Sequence, residues 1–146
     1  WDPEGKFASI WAEEVGDWDG QSNPQYASYY KETNYHDIPQ LVMEIPKTLQ
    51  TLDNIFTEDS MFDFIKMDTQ GSELDIIKGG QRICKKAKYI LLEVAVIEYN
   101  EKAPLENEII LFMENFGFKE FFTIGEHFNG EQLVQKDIVF KNLNIK

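Results

Sequence analysis

The chain predicts an α/β fold: a mainly parallel sheet that gains one antiparallel strand near the C-terminus. Three observations carry this. Phe62 to Met67, apolar but for Asp63 and Lys66, and Tyr89 to Val96, apolar but for Glu93, are runs of strand length, the pattern of parallel strands covered on both faces. Each run is followed by a stretch in which apolar residues recur at helical spacing. The last two strand-like stretches, Phe118 to Ile124 and Leu133 to Lys141, have no helix between them, only a turn around Asn129-Gly130, and so must lie antiparallel.

In chain order, Asp2 to Gly5 reads as a turn and Lys6 to Trp11 as a short strand. Residues 16–37 are rich in Gly, Asp, Ser, Asn, Gln and Tyr and keep no period. Loops of that length in a compact domain are lids, binding loops or disordered segments, and five aromatics (Trp18, Tyr26, Tyr29, Tyr30 and Tyr35) argue against disorder. Leu41 to Thr48 reads as a strand, with Pro46 marking an edge or a bulge. A short helix follows, with Asp53 expected as its N-cap. After the apolar run at 62–67, Ser72 is expected to cap a helix whose apolar face is Leu74, Ile76, Ile77 and Ile83, broken at Gly79-Gly80. Pro104 suits the first turn of a helix. Leu105, Ile109, Phe112, Met113 and Phe116 make its core stripe, and Gly117 ends it.

The totals bound the function. A chain of 146 residues suits one domain with one core. A net charge of −12 opposes binding to a nucleic-acid backbone or to an anionic membrane surface, since both need clustered Lys and Arg. Cys84 is the only cysteine, so no internal disulfide can form, which is compatible with a cytoplasmic setting. The longest apolar run is too short to span a bilayer.

Residues 62–80, FDFIKMDTQGSELDIIKGG, concentrate the chemistry. They read as strand, polar turn and helix. In an open α/β sheet the carboxyl ends of the strands face the ligand crevice, so Asp68, Gln70 and Glu73 fall where ligands bind. Glu93 interrupts the second apolar strand. A buried carboxylate there needs a partner or a neutral state, and a neighbouring Asp68 would make a carboxylate pair able to take up a proton or bind a metal. No metal ligand set is assigned from the sequence. Lys66 needs an acid, which Asp68 or Glu93 can supply. Glu98 and Tyr99 follow the second strand, within reach of a substrate. His36 beside Asp37 could act as an oriented base, although a loop histidine is more often solvated. His127 reads as a turn residue, and Cys84 as a small buried side chain.

FIKMDTQGSELDIIKGG resembles the most recognisable segment of the FkbM family of S-adenosylmethionine-dependent methyltransferases. The resemblance continues in TLDNI (51–55), YILLEVA (89–95), PLENEIILFMENFGF (104–118) and QKDIVFKN (135–142), covering roughly residues 40–142. It implies a Rossmann-like methyltransferase sheet of which this chain holds the C-terminal half, with S-adenosylmethionine as cofactor. It also implies methyl transfer to a hydroxyl of a sugar or small natural product. On that reading Asp68 and Glu93 are the catalytic residues, and Asp68 and Gln70 touch the cofactor. Glu73, Glu98, Tyr99 and His36 touch the substrate, under a lid formed by 16–37.

The glycine-rich turn that the family uses for its cofactor has no counterpart, since the nine glycines form no G-x-G. Residues 1–146 are therefore expected to be a single truncated domain: an N-terminal strand and loop at 1–48, then the half-sheet at 49–146. The start at Trp1, without Met, reads the same way. An apolar strand at 62–67 left on the sheet edge would need a neighbour, which could be a missing half, residues 1–48 folded back, or a second chain in a homo-oligomer. The competing reading is a non-catalytic binding module derived from a methyltransferase domain.

Overall fold

The computed structural model describes residues 49–98 and 100–145. The expected strands at Lys6 to Trp11 and Leu41 to Thr48, the loop at 16–37, His36 and Tyr99 lie outside the described residues.

Helix α1 is a single turn, Leu52–Ile55. Its N-cap is Thr51, whose hydroxyl accepts from the Asn54 N–H at 3.2 Å. Asp53, expected in that role, does something else. Its carboxylate crosses to a later helix, α3 (Gln81–Cys84), and accepts from the Arg82 and Ile83 N–H groups at 3.0 and 3.1 Å. The residue before α3 is Gly80, which has no side chain to cap with, so the cap comes from 29 positions upstream. Arg82 returns the contact by donating to the Asp53, Phe56 and Thr57 carbonyls, and α1 and α3 clasp each other.

Strand β1 is Phe64–Met67, and helix α2 is Glu73–Gly79. The break at Gly79-Gly80 is observed, with α3 starting afresh one residue later. Ser72 stands at the N-cap of α2 but makes no capping bond; its hydroxyl donates to the Thr69 carbonyl at 3.2 Å instead. Strand β2 is Tyr89–Ala95. Helix α4, Glu106–Phe116, begins two residues after Pro104, and Glu108 accepts from the Leu105 N–H at 3.1 Å to close its first turn. Gly117 ends α4 at φ 96°, a left-handed conformation that glycine adopts without steric penalty. Strands β3 (Phe118–Asn129) and β4 (Gln132–Asn142) form the expected hairpin, longer than the sequence suggests because both continue to the turn at Gly130.

The four strands of the described residues run in the order β1-β2-β4-β3. β1 and β2 are parallel, and β4 lies antiparallel to both of its neighbours, β2 and β3. The architecture is therefore α/β with a mixed sheet, and among the described strands β4 is the one of opposite sense. Among the described residues β1 pairs on one side only and is an edge strand. It is also wetter than its composition suggests, since Phe64 is 52% exposed.

One face of the sheet carries Met67, Ile90, Leu92, Val94, Ile138 and Phe140. All four described helices contribute to the core on that face, through Leu52, Leu74, Ile76, Ile77, Cys84, Ile109 and Met113. Each such side chain fully buried is worth about 1.5–3 kcal/mol. The other face carries Lys66, Leu91, Glu93, Asp137 and Val139, by the strict alternation of strand side chains. Asn142, at the end of β4, ties the sheet to the loop entering β2 by donating to the Lys85 and Ala87 carbonyls at 3.0 and 2.9 Å.

Candidate active site

The turn after β1 is built around a buried carboxylate. Glu73, the first residue of α2, is 1% exposed. Its Oε1 accepts from the Thr69 N–H and hydroxyl at 2.8 and 2.9 Å, and its Oε2 accepts from the Gly71 N–H at 3.0 Å. Burial pushes its pKa up, and these bonds pull it back. The chain can turn this sharply because Gln70 and Gly71 both take positive φ, 54° and 105°. Gln70 has a Cβ and would not choose that conformation unaided. Asn100, nearly fully buried, helps to hold it by donating to the Gln70 carbonyl at 2.6 Å.

Held this way, Gln70 reaches the next strand. Its Nε2 donates to Glu93 Oε2 at 2.6 Å, tying the β1 turn to β2. Glu93 lies opposite Asp137 of β4 and within hydrogen-bonding reach of Asp68, one residue past the end of β1. Burial first, then Asp68 and Asp137, push its pKa up to about 7. A group so poised exchanges a proton readily near neutrality, as a general base must. Asp68 itself is exposed and accepts from Lys66 Nζ at 3.0 Å, which provides the acid that Lys66 required. On the far side of the row, His127 Nε2 lies 3.0 Å from Asp137 Oδ2, and that contact raises the histidine pKa.

The structure thus brings Asp68, Gln70 and Glu93 together, with Glu73 beneath them. Both Glu73 oxygens are engaged by the turn, so its position is that of a brace under the site. Glu98 is placed apart, as an exposed turn acid that accepts from the Lys102 N–H at 2.9 Å. Three residues join the picture that sequence reasoning did not single out: Asn100, Asp137 and, as more than a turn residue, His127. Asp137 follows Gln135 and Lys136 in β4, so unlike Glu93 it does not stand out as a lone acid in an apolar run. Asn100 and His127 carry no local signal, because their partners lie 30 and 10 residues away.

No described helix is long and apolar enough to cross a membrane. Neither the curated proteins nor the solved structures compared with the chain give a match. The model of the methyltransferase FkbM domain matches residues 4–120. That span starts upstream of the motifs quoted above and stops just inside β3, so it takes in Asp68, Gln70, Glu73 and Glu93 but neither His127 nor Asp137. A match over most of the length, containing a strand-end turn built as described, means that the chain belongs to the FkbM methyltransferase family.

Proposed function

We propose that this chain carries the acceptor side of an S-adenosylmethionine-dependent O-methyl transfer to a hydroxyl of a sugar or small natural product. The observation that supports it most is the Asp68–Glu93 pair, set toward the carboxyl ends of two parallel strands, with Glu93 held by Gln70. The cofactor suits this end of the sheet, because a sulfonium cation is favoured beside the carboxylates of Asp68, Glu93 and Asp137. Asp68 and Gln70 are the residues that would touch it. When bound, it supplies an activated methyl group; proximity and proton uptake then fall to the protein. Glu93 takes the proton from the acceptor hydroxyl. Its raised pKa makes it a stronger base than an ordinary carboxylate while leaving a large ionised fraction near neutral pH. Asp68 holds the acceptor oxygen from the exposed side, and Glu73 and Asn100 keep Gln70 in its left-handed conformation. The half-sheet of the family's Rossmann-like fold is the scaffold this reading implies.

Two measurements test it. Calorimetric titration of the chain, and of any longer parent polypeptide, with S-adenosylmethionine and with its demethylated product should show saturable binding. No heat with either ligand overturns the reading. Asp68→Asn should lower turnover by about 10²-fold or more, the usual weight of an acid–base group. It should shift stability by no more than about 0.5 kcal/mol, since an exposed ion pair is worth little. Equal loss of activity and stability would make Asp68 a turn acid and nothing more.

A further inference from the structure

We propose that Glu93, His127 and Asp137 form a binding site for a first-row divalent cation of the Mn²⁺ or Zn²⁺ type. Each residue comes from a different strand, β2, β3 and β4 respectively. One ligand atom from each lies within 4.8 Å of the others, a spacing that a single ion can bridge after small rotations of the side chains. The backbone sets this up. Glu93 and Asp137 are directly opposed across β2 and β4, so both carboxylates rise from the same face. Asp137 is in turn opposed to Gly125 of β3. A Cβ at position 125 would stand 2.6 Å from Asp137 Oδ2, so the glycine leaves room for the carboxylate to lean over β3. His127 follows Gly125 by two residues and therefore rises from the same face, reaching the same oxygen at 3.0 Å. Register shifts flank this short stretch of β3, and bulges of that kind re-aim side chains.

The donor set fixes the class of ion. Two carboxylates and an imidazole suit Mn²⁺, Fe²⁺ or Zn²⁺, whereas calcium and magnesium prefer oxygen ligands alone. Nearby lysines are committed elsewhere: Lys136 of β4 pairs with Glu106 at 2.7 Å, and Lys66 pairs with Asp68. Three protein ligands leave coordination positions for water or for oxygens of a hydroxylated ligand; with the ion bound, the Glu93 carboxylate is occupied as a ligand and proton uptake passes from it to the neighbouring Asp68. His127 and Asp137 lie beyond the span matched by the family model, and the β3–β4 hairpin supplies both of these ligands.

The test is a titration of the purified, metal-stripped chain with Mn²⁺, followed by loss of the free-ion paramagnetic resonance signal, and with Zn²⁺ by calorimetry. One ion should bind per chain. Glu93→Gln, Asp137→Asn and His127→Ala should each weaken binding by about tenfold or more, and Gly125→Ala should weaken it by displacing Asp137. Asp63→Asn, an exposed carboxylate paired with Lys88, should leave binding unchanged. His127 is exposed, so its variant keeps the test informative if a carboxylate variant fails to fold, as checked by circular dichroism. No saturable binding of either ion up to millimolar concentration overturns the proposal. So does binding that the ligand variants leave intact, or that Asp63→Asn lowers equally. The proposal does not rest on methyl transfer: a chain that binds the ion and moves no methyl retains this site and loses the enzymatic reading.

Discussion

At the scale of single residues, the site is a set of acids with different tasks set by their surroundings. Glu73 is sealed under the turn, and three donors depend on it. Glu73→Ala should therefore destabilise the fold by about 2–4 kcal/mol, since it leaves the buried Gly71 N–H and the part-buried Thr69 N–H without their acceptor. Glu73→Gln should recover part of this, because the amide oxygen can still accept on one side. Urea denaturation measures both. Glu93 behaves differently because its acid form is the one that burial and its acidic neighbours favour. Its folded pKa, about 7, lies above the ordinary value of 4.5. The stability it contributes is therefore fully present below about pH 4.5 and is lost as the pH rises through about 7. In chelator-containing buffer, the wild-type midpoint should fall across that window, and Glu93→Gln should flatten the fall. A profile that Glu93→Gln leaves unaltered would mean that another group titrates.

At the scale of elements, the short helices α1 and α3 are individually too short to persist in water. They exist because they cap and clamp each other. Asp53 supplies the N-cap that Gly80 cannot, and Arg82 fills the carbonyls of α1. Asp53→Ala should cost about 1–2 kcal/mol, the weight of a lost cap. Amide exchange should rise first at Arg82 and Ile83, the two N–H groups left without an acceptor. Exchange rising only in α1 would mean that Asp53 acts through its own helix. Gly80 belongs to the same joint: an added Cβ would lie 2.7 Å from the Leu52 side chain, so the close packing of α1 on α3 depends on having no side chain there.

At the scale of the whole molecule, the core lies between one face of the sheet and the helices, and Cys84 sits within it, 0% exposed. Burial pushes its thiol pKa up to about 12, so the reactive thiolate is scarce as well as hidden. Native chain should resist thiol reagents at neutral pH, and labelling in urea should follow the same transition as circular dichroism. Labelling ahead of that transition would show that α3 opens as a separate unit.

What the sequence alone determined were the features carried by local pattern. The apolar runs, the broken helix at Gly79-Gly80, the stop at Gly117 and the terminal hairpin all depend on neighbours a few residues apart, and all are observed near their expected places. So is the grouping of Asp68, Gln70 and Glu93, because strands ending in polar residues in a parallel pair must bring those ends together. Tertiary structure decided the rest. Which helix Asp53 caps, where Glu73 spends its oxygens, how Asn100 holds Gln70, and that His127 meets Asp137 beside Glu93 all follow from sheet register and helix docking. Contacts of that kind leave no mark on the chain, because a hydrogen bond across thirty residues imposes no period and needs no particular neighbour in sequence.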